Sequence, residues 1–325
     1  MASKSKRRLI QGLNEPPRGA QGLPLAEELM IQVRPSSSLP LAIVAFILGA
    51  LPVFAQTQTP APDPVPAAAP LPAQIDLNLI NLPTTMSIAR HKGYFRLTHR
   101  FASDLRRGSF SQNAADLFTL DKGAIIGLEY RFGITSNLQA GVHRSLLSKT
   151  IQTFARWDFL RQGDSLPVSV SLTGSFEGLN NLRERHQQGV AVTVSRTFGD
   201  RLALYATPAF VASTHAVDFI AGHEGHEHDT GLEEDEHANH DDTWFAGIGG
   251  RLRFSHTGYI TGEYSPRLHG YDPNRGEWGV AIEKRTGGHT LQLNFTNSFG
   301  TTLGQLARGG SPHDIYLGFN ITRRF

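Results

Sequence analysis

Apolar and polar residues alternate along most of the chain after residue 92, in segments of about ten residues, and no useful stretch has a helical period. Membrane-crossing strands need about 9 to 11 residues and show this alternation. Twelve segments fit: 93–101, 123–132, 137–146, 150–159, 167–176, 189–198, 201–212, 243–255, 258–266, 276–285, 289–299 and 314–325. They predict an all-β fold, a single antiparallel transmembrane β-barrel of about twelve strands.

The connections between these segments alternate in length. With the amino terminus in the periplasm, the periplasmic connections are short, namely 133–136, 160–166, 199–200, 256–257 and 286–288. The outer ones are mostly long, namely 102–122, 177–188, 213–242, 267–275 and 300–313, with 147–149 as the exception. Bacterial barrels have short periplasmic turns and longer extracellular loops, so the alternation supports a barrel.

The two faces of the predicted strands differ in polarity. In the fifth strand, Leu172 and Phe176 share one face, while Ser171 and Thr173 share the other. This is the lipid-out, lumen-in pattern of a membrane barrel. Aromatic residues predict interfacial girdles, with Phe132, Trp157, Phe159, Phe198, Phe254 and Phe325 on the periplasmic side and Phe101, Phe176, Phe210, Trp244, Tyr264, Trp278 and Phe299 on the outer side. A soluble sandwich or lipocalin-like barrel is the alternative.

Residues 1–55 are predicted to be a leader with a secretory signal peptide. Its apolar core, 41–51, follows the positive charge of Arg34, and Val53-Phe54-Ala55 is similar to a cleavage site, so cleavage is expected after Ala55. Met30 is an alternative start that gives a signal of ordinary length. The other interpretation is a retained membrane anchor, which two prolines in the apolar stretch disfavour.

Residues 56–74 are rich in Pro and Ala and predict an extended periplasmic linker, which leaves 75–325 for the barrel. The chain has no Cys, which excludes disulfides, thiolate nucleophiles, Cys-based zinc sites and a lipoprotein anchor. A formal charge of +2 gives no electrostatic case for nucleic acid as a partner.

The chain ends in IYLGFNITRRF, where Phe319, Ile321 and the terminal Phe325 keep one alternating register, with Arg323 as a departure from the apolar pattern. This ending resembles the carboxy-terminal assembly signal of outer-membrane barrels. The resemblance implies two partners, the barrel assembly machinery and outer-membrane lipid, and it implies export to the bacterial outer membrane.

Two further stretches, INLPTTMSIARHKGYFRLTHRF at 80–101 and GLEYRFGITSNLQAGVHRS at 127–145, carry a second resemblance. They look like an uncharacterised bacterial β-barrel family with a comparable LPT to HRF opening. The resemblance implies a barrel and an outer-membrane address. It implies no activity, because fold alone does not define function.

The 213–242 connection is rich in imidazoles and carboxylates. Both groups bind zinc, nickel and copper(II), so a divalent metal is a candidate ligand, although no cofactor is required. The alternative is a solvated, charged surface loop. The candidate metal ligands are His215, His223, His226, His228, His237, His240, Glu224, Glu227 and Asp229.

Charged residues of both signs fall on the predicted lumen face. They can form either a salt-bridged filling of the lumen or the selectivity lining of a channel. They are Arg96, Glu129, Arg131, His143, Arg156, Asp158, Arg251, Arg253, Glu263, Glu283 and Arg285. Side chains fill much of a lumen of this size, so the sequence favours a narrow channel for solutes. The alternative is a closed structural or surface-binding barrel.

An outer-membrane hydrolase is the alternative from another class, with His143 and Ser145 as its candidate pair. Nucleophilic chemistry needs a hydrogen-bonded nucleophile and base together with an orienting acid. The chain contains no G-x-S-x-G, H-E-x-x-H or P-loop motif. We therefore expect no enzyme and no catalytic residue.

Overall fold

The computed structural model describes residues 72–117, 123–163, 165–214, 241–271 and 275–325. Its strands are β1 (Gly93–Phe101), β2 (Ala124–Gly133), β3 (Leu138–Ser145), β4 (Thr150–Leu160), β5 (Ser169–Gly178), β6 (Glu184–Phe198), β7 (Leu202–Thr214), β8 (Asp241–Arg253), β9 (Gly258–Ser265), β10 (Arg267–His269), β11 (Glu277–Thr286), β12 (His289–Thr296) and β13 (Tyr316–Arg324). All pairings are antiparallel, and β1 pairs with β13, which closes the sheet. The short β10 follows β9 and pairs, like β9, with β8, so the barrel has twelve strand positions. The predicted fold class is confirmed.

The strand boundaries differ from the predicted ones mainly in two places. Strand β6 begins at Glu184, five residues before the predicted start at 189, because Gln187 still pairs with Glu177 of β5. Strand β12 ends at Thr296 instead of 299, since the chain leaves the barrel wall there. Strand β5 extends to Gly178, two residues beyond the predicted end at 176, which brings Glu177 out of a predicted connection and into a strand.

The outer face of the barrel is apolar. Leu172, Val190 and Ile248 are exposed, and Ile282 is 60 % exposed, whereas their neighbours along each strand are largely buried. Soluble monomers rarely expose contiguous apolar patches of more than a few hundred Å². An apolar surface that alternates with a polar interior on strand after strand fits lipid, and it confirms the faces predicted for the fifth strand.

The aromatic girdles form with two exceptions. Most of the predicted residues are exposed or half-buried on the outer face, including Trp157 and Trp244. The assignment of Phe299 was wrong: it is 1 % exposed, in the segment that leaves the wall, and its ring lies 4.0 Å from that of Tyr316. Phe101 is also buried, against the rings of His99 and Phe319.

The helical elements are short. They are α1 (Phe110–Ala115), a 3-10 turn (Leu147–Lys149), the single turn α2 (Leu179–Leu182) and α3 (Leu303–Ala307). Thr302 caps α3 in a capping box with Gln305, which stabilises this single turn. Among the described residues no helix has the length and apolarity of a membrane span.

The segment that precedes β1 in the chain contains no strand and lies in the lumen. Residues 72–88, here called the plug, form a hairpin in which Asn78 bridges Pro83 and the Leu79 N–H donates to the Leu82 carbonyl at 2.8 Å. The leucines of this hairpin pack so closely on the wall that a Cβ at Gly249 would lie 2.5 Å from Leu79 Cδ1. The plug enters and leaves at the end of the barrel that has the short turns.

A second segment fills the lumen from the other end. Residues 297–310, here called the inner loop, leave β12 and carry α3, and every one of them is buried. Leu303 and Leu306 of this loop join Leu79 and Leu82 of the plug in one buried apolar cluster with residues of β6, β7 and β8. Both ends of the barrel are therefore occupied by chain segments.

Candidate functional site in the barrel lumen

The predicted lumen residues lie on the inner face of the barrel. Arg96, Glu129, Arg131, His143, Arg156, Asp158, Arg251, Glu263 and Glu283 are buried, and Arg253 and Arg285 are partly buried near the short turns. Alternation places them inside because side chains two residues apart share a face. Their role in solute passage stays a prediction.

Glu263 of β9 holds the turn of the plug. Its carboxylate accepts the backbone N–H groups of Ile80 at 2.9 Å, Asn81 at 2.8 Å and Leu82 at 3.1 Å. Three donors in a row, supplied by one tight turn, satisfy a buried carboxylate without a direct ion pair. This side chain therefore ties three consecutive backbone N–H groups of the plug turn to β9.

Asn81 at the same turn is clamped between opposite charges. Its amide donates to Glu277 at 2.9 Å and accepts from Arg100 at 3.0 Å. Arg100 also donates to Asn320 of β13 at 2.8 Å. The plug turn is thus tied to β1, β11 and β13.

Asn78, on the other side of the hairpin, binds two arginines. Arg131 donates to its side-chain oxygen at 2.9 Å, and Arg251 donates to its backbone carbonyl at 2.8 Å. Arg251 is in turn paired with Glu283 at 2.7 Å, and both side chains are 0 % exposed. Buried charges of both signs therefore surround the plug, and Arg251 and Glu283 neutralise each other there.

His143 connects the wall to the inner loop. Its Nδ1 lies 3.1 Å from Glu129, which also pairs with Arg96 and Arg131, and its Nε2 lies 3.0 Å from the Thr301 hydroxyl. With both ring nitrogens bonded to these groups, His143 holds the loop against β2. The candidate pair of His143 and Ser145 is not formed.

Glu177 holds the inner loop by hydrogen bonds, as Glu263 holds the plug. It accepts hydrogen bonds from the Thr302 hydroxyl at 3.1 Å, the Gly304 N–H at 3.0 Å and the Gln152 amide at 2.9 Å. Arg308, at the end of the loop, donates to Gln187 at 3.3 Å. Burial lowers the pKa of Arg308, and the negative charge of Glu177 opposes this effect.

A cavity of about 50 Å³ remains between the two segments and the wall. It is lined by Asn78, Asn81 and Pro83 of the plug, by Thr301, Leu303 and Leu306 of the inner loop, and by Glu129, Arg131, Gln152, Phe154, Arg156, Thr173, Ser175 and Ala191 of the wall. The cavity therefore lies inside the barrel, between the plug, the inner loop and the wall.

Sequence reasoning missed several of the residues that hold the lumen segments. Arg100, Glu177 and Glu277 are all buried and were not among the candidates. The signal was available, because each lies an even number of residues from one already assigned to the inner face, namely Arg96 for Arg100, Thr173 for Glu177 and Glu283 for Glu277. Glu177, for example, follows Ser171 and Thr173 on that face.

The histidine-rich segment lies outside the described residues. Its candidate ligands, His215 to His240 and the acidic residues among them, fall within 215–240. Elsewhere in the chain, within the described ranges, no three His, Asp or Glu side chains are grouped so that they could hold a metal ion. Metal binding by the loop therefore stays a prediction.

The residues of the predicted assembly signal lie on the lipid-facing side of β13 and just after it. Ile321 and Phe325 are exposed, and Phe319 is half-buried beside His99 at 4.6 Å between ring centroids. Arg323 is exposed as well and stacks over Phe325 at 5.3 Å. Recognition of this ending by assembly machinery stays a prediction.

The closed sheet, its apolar outer face and its polar, filled lumen define a membrane-spanning β-barrel. The chain belongs to the family described as a membrane-bound beta barrel domain (DUF5777), whose model matches residues 76–325. The predicted resemblance to a barrel family without an assigned function is confirmed. No curated protein matches the chain.

Solved structures similar to the chain include porins and channels. The NanC porin shares 10 % identity over 71 % of this chain and 97 % of its own, with a TM-score of 0.43. An outer-membrane channel from Pseudomonas putida F1 shares 11 % over 74 % and 97 %, with a TM-score of 0.41. The Acinetobacter baumannii outer-membrane protein Omp33 shares 8 % over 72 % and 98 %, with a TM-score of 0.36. At these identities the similarity concerns the fold alone.

Proposed function

We propose that the protein is a narrow, gated channel of the bacterial outer membrane, which passes small solutes when the plug or the inner loop moves. The observation that carries this proposal is how the lumen is closed. Two segments that are not strands enter from opposite ends, and both are held by hydrogen bonds to Glu263 and Glu177 of the wall. The protein has no enzymatic role in this proposal.

The chemistry of the attachment supports movement of the plug. Its polar anchors on the wall include the charged groups Glu263, Arg131 and Arg251. When the plug leaves, water replaces its hydrogen bonds to these groups, which offsets part of the free energy needed to expose Leu79 and Leu82. The uncovered lumen then carries charges of both signs, as a channel lining does.

A disulfide between the plug and the wall tests the proposal. The Thr85 and Ser195 hydroxyl oxygens lie 2.5 Å apart, so cysteines at both positions are well placed for an S–S bond of about 2 Å. Because the chain has no Cys of its own, the disulfide of the Thr85→Cys/Ser195→Cys variant is unique. In planar bilayers, we expect the oxidised protein to lose its larger conductance states and to regain them on reduction. Each single-Cys variant should conduct like the unmodified chain under both conditions.

The second candidate function is a closed structural or surface-binding barrel. It is favoured by the extent of the filling, since the whole inner loop is buried. Deleting residues 73–88 distinguishes the two functions. A chain that conducts neither with nor without the plug would contradict the channel and support the closed barrel.

We also propose how the protein reaches the membrane. A signal peptide ending at Ala55 directs export, residues 56–71 extend through the periplasm as far as the plug, and the barrel assembly machinery recognises the ending at Phe325. The outward orientation of Ile321 and Phe325 supports this, because an assembly factor has access to that face of β13 before lipid covers it. Mass spectrometry of the exported chain gives the cleavage position.

As a separate property we propose that the 213–242 connection captures divalent metal at the outer end of the barrel. Its support is the density of imidazoles and carboxylates between β7 and β8. Calorimetric titration with zinc, nickel and copper(II) should give saturable heats that vanish when the six loop histidines, from His215 to His240, are replaced by Asn. Equal heats from both proteins would show that carboxylates or other groups take up the metal.

A further inference from the structure

Several side chains on the inner wall have buried atoms without a hydrogen-bond partner, and five of these side chains lie close together. Their atoms are both amide atoms of Gln139, Nη1 of Arg156, Oδ2 of Asp158, Oγ of Ser171 and Oγ1 of Thr173. Arg156 itself is 1 % exposed. Buried polar atoms are almost always hydrogen-bonded in proteins, and an exception calls for a specific explanation.

The strand register brings these five residues together. Gln139 of β3 pairs with Arg156 of β4, which pairs with Thr173 of β5, and Asp158 pairs with Ser171. All five side chains point inward, so they form one patch on the lumen wall, here called the β3–β5 patch. The unpartnered atoms are therefore clustered in adjoining positions of three strands.

The β3–β5 patch opens onto the internal cavity. Arg156 and Thr173 line that cavity, opposite Asn78 of the plug and Thr301 of the inner loop. Its volume of about 50 Å³ exceeds the 10 to 15 Å³ or so that one water molecule needs. The space suits a cluster of waters or a polyatomic ion of a few heavy atoms, and it is too small for a sugar.

The charges around the cavity favour an anion. Of the charged residues that line it, Arg131 and Arg156 are positive and Glu129 is negative, so the positive charges exceed the negative ones by one. Arg156 donates to Asp158 through Nε at 2.8 Å, and its Nη1 has neither an ion pair nor a hydrogen bond. Guanidinium, amide and hydroxyl donors together form the usual environment of an oxyanion.

We propose that the β3–β5 patch and the adjoining cavity bind a small oxyanion of the size of phosphate or of a short carboxylate. Arg156 supplies the charge, and Gln139, Ser171 and Thr173 supply neutral donors. This inference goes beyond the channel, because a barrel that conducts nothing can still hold the anion. The plug and the inner loop cover the site, so the anion exchanges when either of them moves.

Calorimetric titration of the detergent-refolded full chain with inorganic phosphate tests the site. We expect saturable binding with one anion per barrel. In the Arg156→Gln/Asp158→Asn variant, which keeps two polar side chains of similar size and no net charge change in the pair, the affinity should fall at least about tenfold, since a charge-assisted hydrogen bond is lost. The matched control is Lys284→Gln on the outer face, which should bind like the unmodified chain.

A second variant keeps the test independent of the ion pair. Gln139→Leu removes two unpartnered atoms, so it should leave thermal stability without phosphate unchanged and should weaken phosphate binding several-fold. Selenate soaked into crystals of the full chain should give an anomalous peak within hydrogen-bond distance of Arg156. Absence of saturable heat, equal affinity in the Arg156→Gln/Asp158→Asn variant, or selenate found only elsewhere would overturn the proposal.

Discussion

Replacing Glu263 with alanine is expected to raise the open probability of the barrel by about a hundredfold or more. The carboxylate accepts three backbone N–H groups of the plug turn, at 2.9, 2.8 and 3.1 Å. A hydrogen bond to a charged group contributes about 1.5 to 3 kcal/mol, and each 1.4 kcal/mol or so shifts an equilibrium tenfold. Losing even two of these bonds therefore moves the plug strongly towards its displaced state, which single-channel recording measures directly.

Two further variants of the same kind control this experiment. Glu263→Gln retains one acceptor oxygen and should open less often than Glu263→Ala. Glu184→Ala removes an exposed carboxylate that, within the described residues, accepts a hydrogen bond from the nearby Asn180 side chain, and its recordings should match those of the unmodified barrel. If Glu263→Ala also matches them, this carboxylate does not hold the gate.

Replacing Arg251 with methionine is expected to lower the free energy of unfolding by about 3 to 5 kcal/mol. Arg251 and Glu283 form a pair at 2.7 Å with both side chains 0 % exposed, and the substitution leaves the Glu283 carboxylate without this positive partner, with the neutral Gln292 amide as a donor. Urea unfolding in lipid or detergent, followed by tryptophan fluorescence, measures the loss. The same change also removes the donor to the Asn78 carbonyl of the plug.

The matched control is Arg253→Met, two residues along β8. Its partner Asp200 is 42 % exposed, so that ion pair contributes about 1 kcal/mol or less. Arg251→Met/Glu283→Leu should recover most of the stability, because no unpaired charge remains and apolar replacement of a buried pair is often neutral. Equal losses for Arg251→Met and Arg253→Met would show that water reaches both pairs.

The strands and their faces were predictable because both depend on local information. Alternation over ten residues determines which side chains share a face, and burial on one face fixes that choice, as Leu172 and Ser171 show. Short turns then limit the pairing of neighbours. The lumen charges followed from the same rule, which is why Arg96, Glu129 and Arg251 were located correctly on the inner face.

The plug and the inner loop could not be predicted in this way. Residues 75–88 have neither a period of two nor one of 3.6, and their place depends on partners far along the chain, such as Glu263 for Ile80. The inner loop looked like an ordinary outer connection because its apolar residues, Leu303 and Leu306, are few. The segments that fill a barrel are held by side chains from many strands at once, whereas a sequence pattern describes one strand at a time.

The pairing of β1 with β13 joins the two ends of the folded chain, and the plug is attached to both sides of this seam. Asp76 accepts hydrogen bonds from Tyr94 of β1 and from Thr322 of β13, and Asn320 of β13 donates to the Ile80 carbonyl. The hydrogen bonds of the seam to Asp76 and Ile80 therefore form only when the hairpin is inside the barrel, which links filling of the lumen to closure of the sheet.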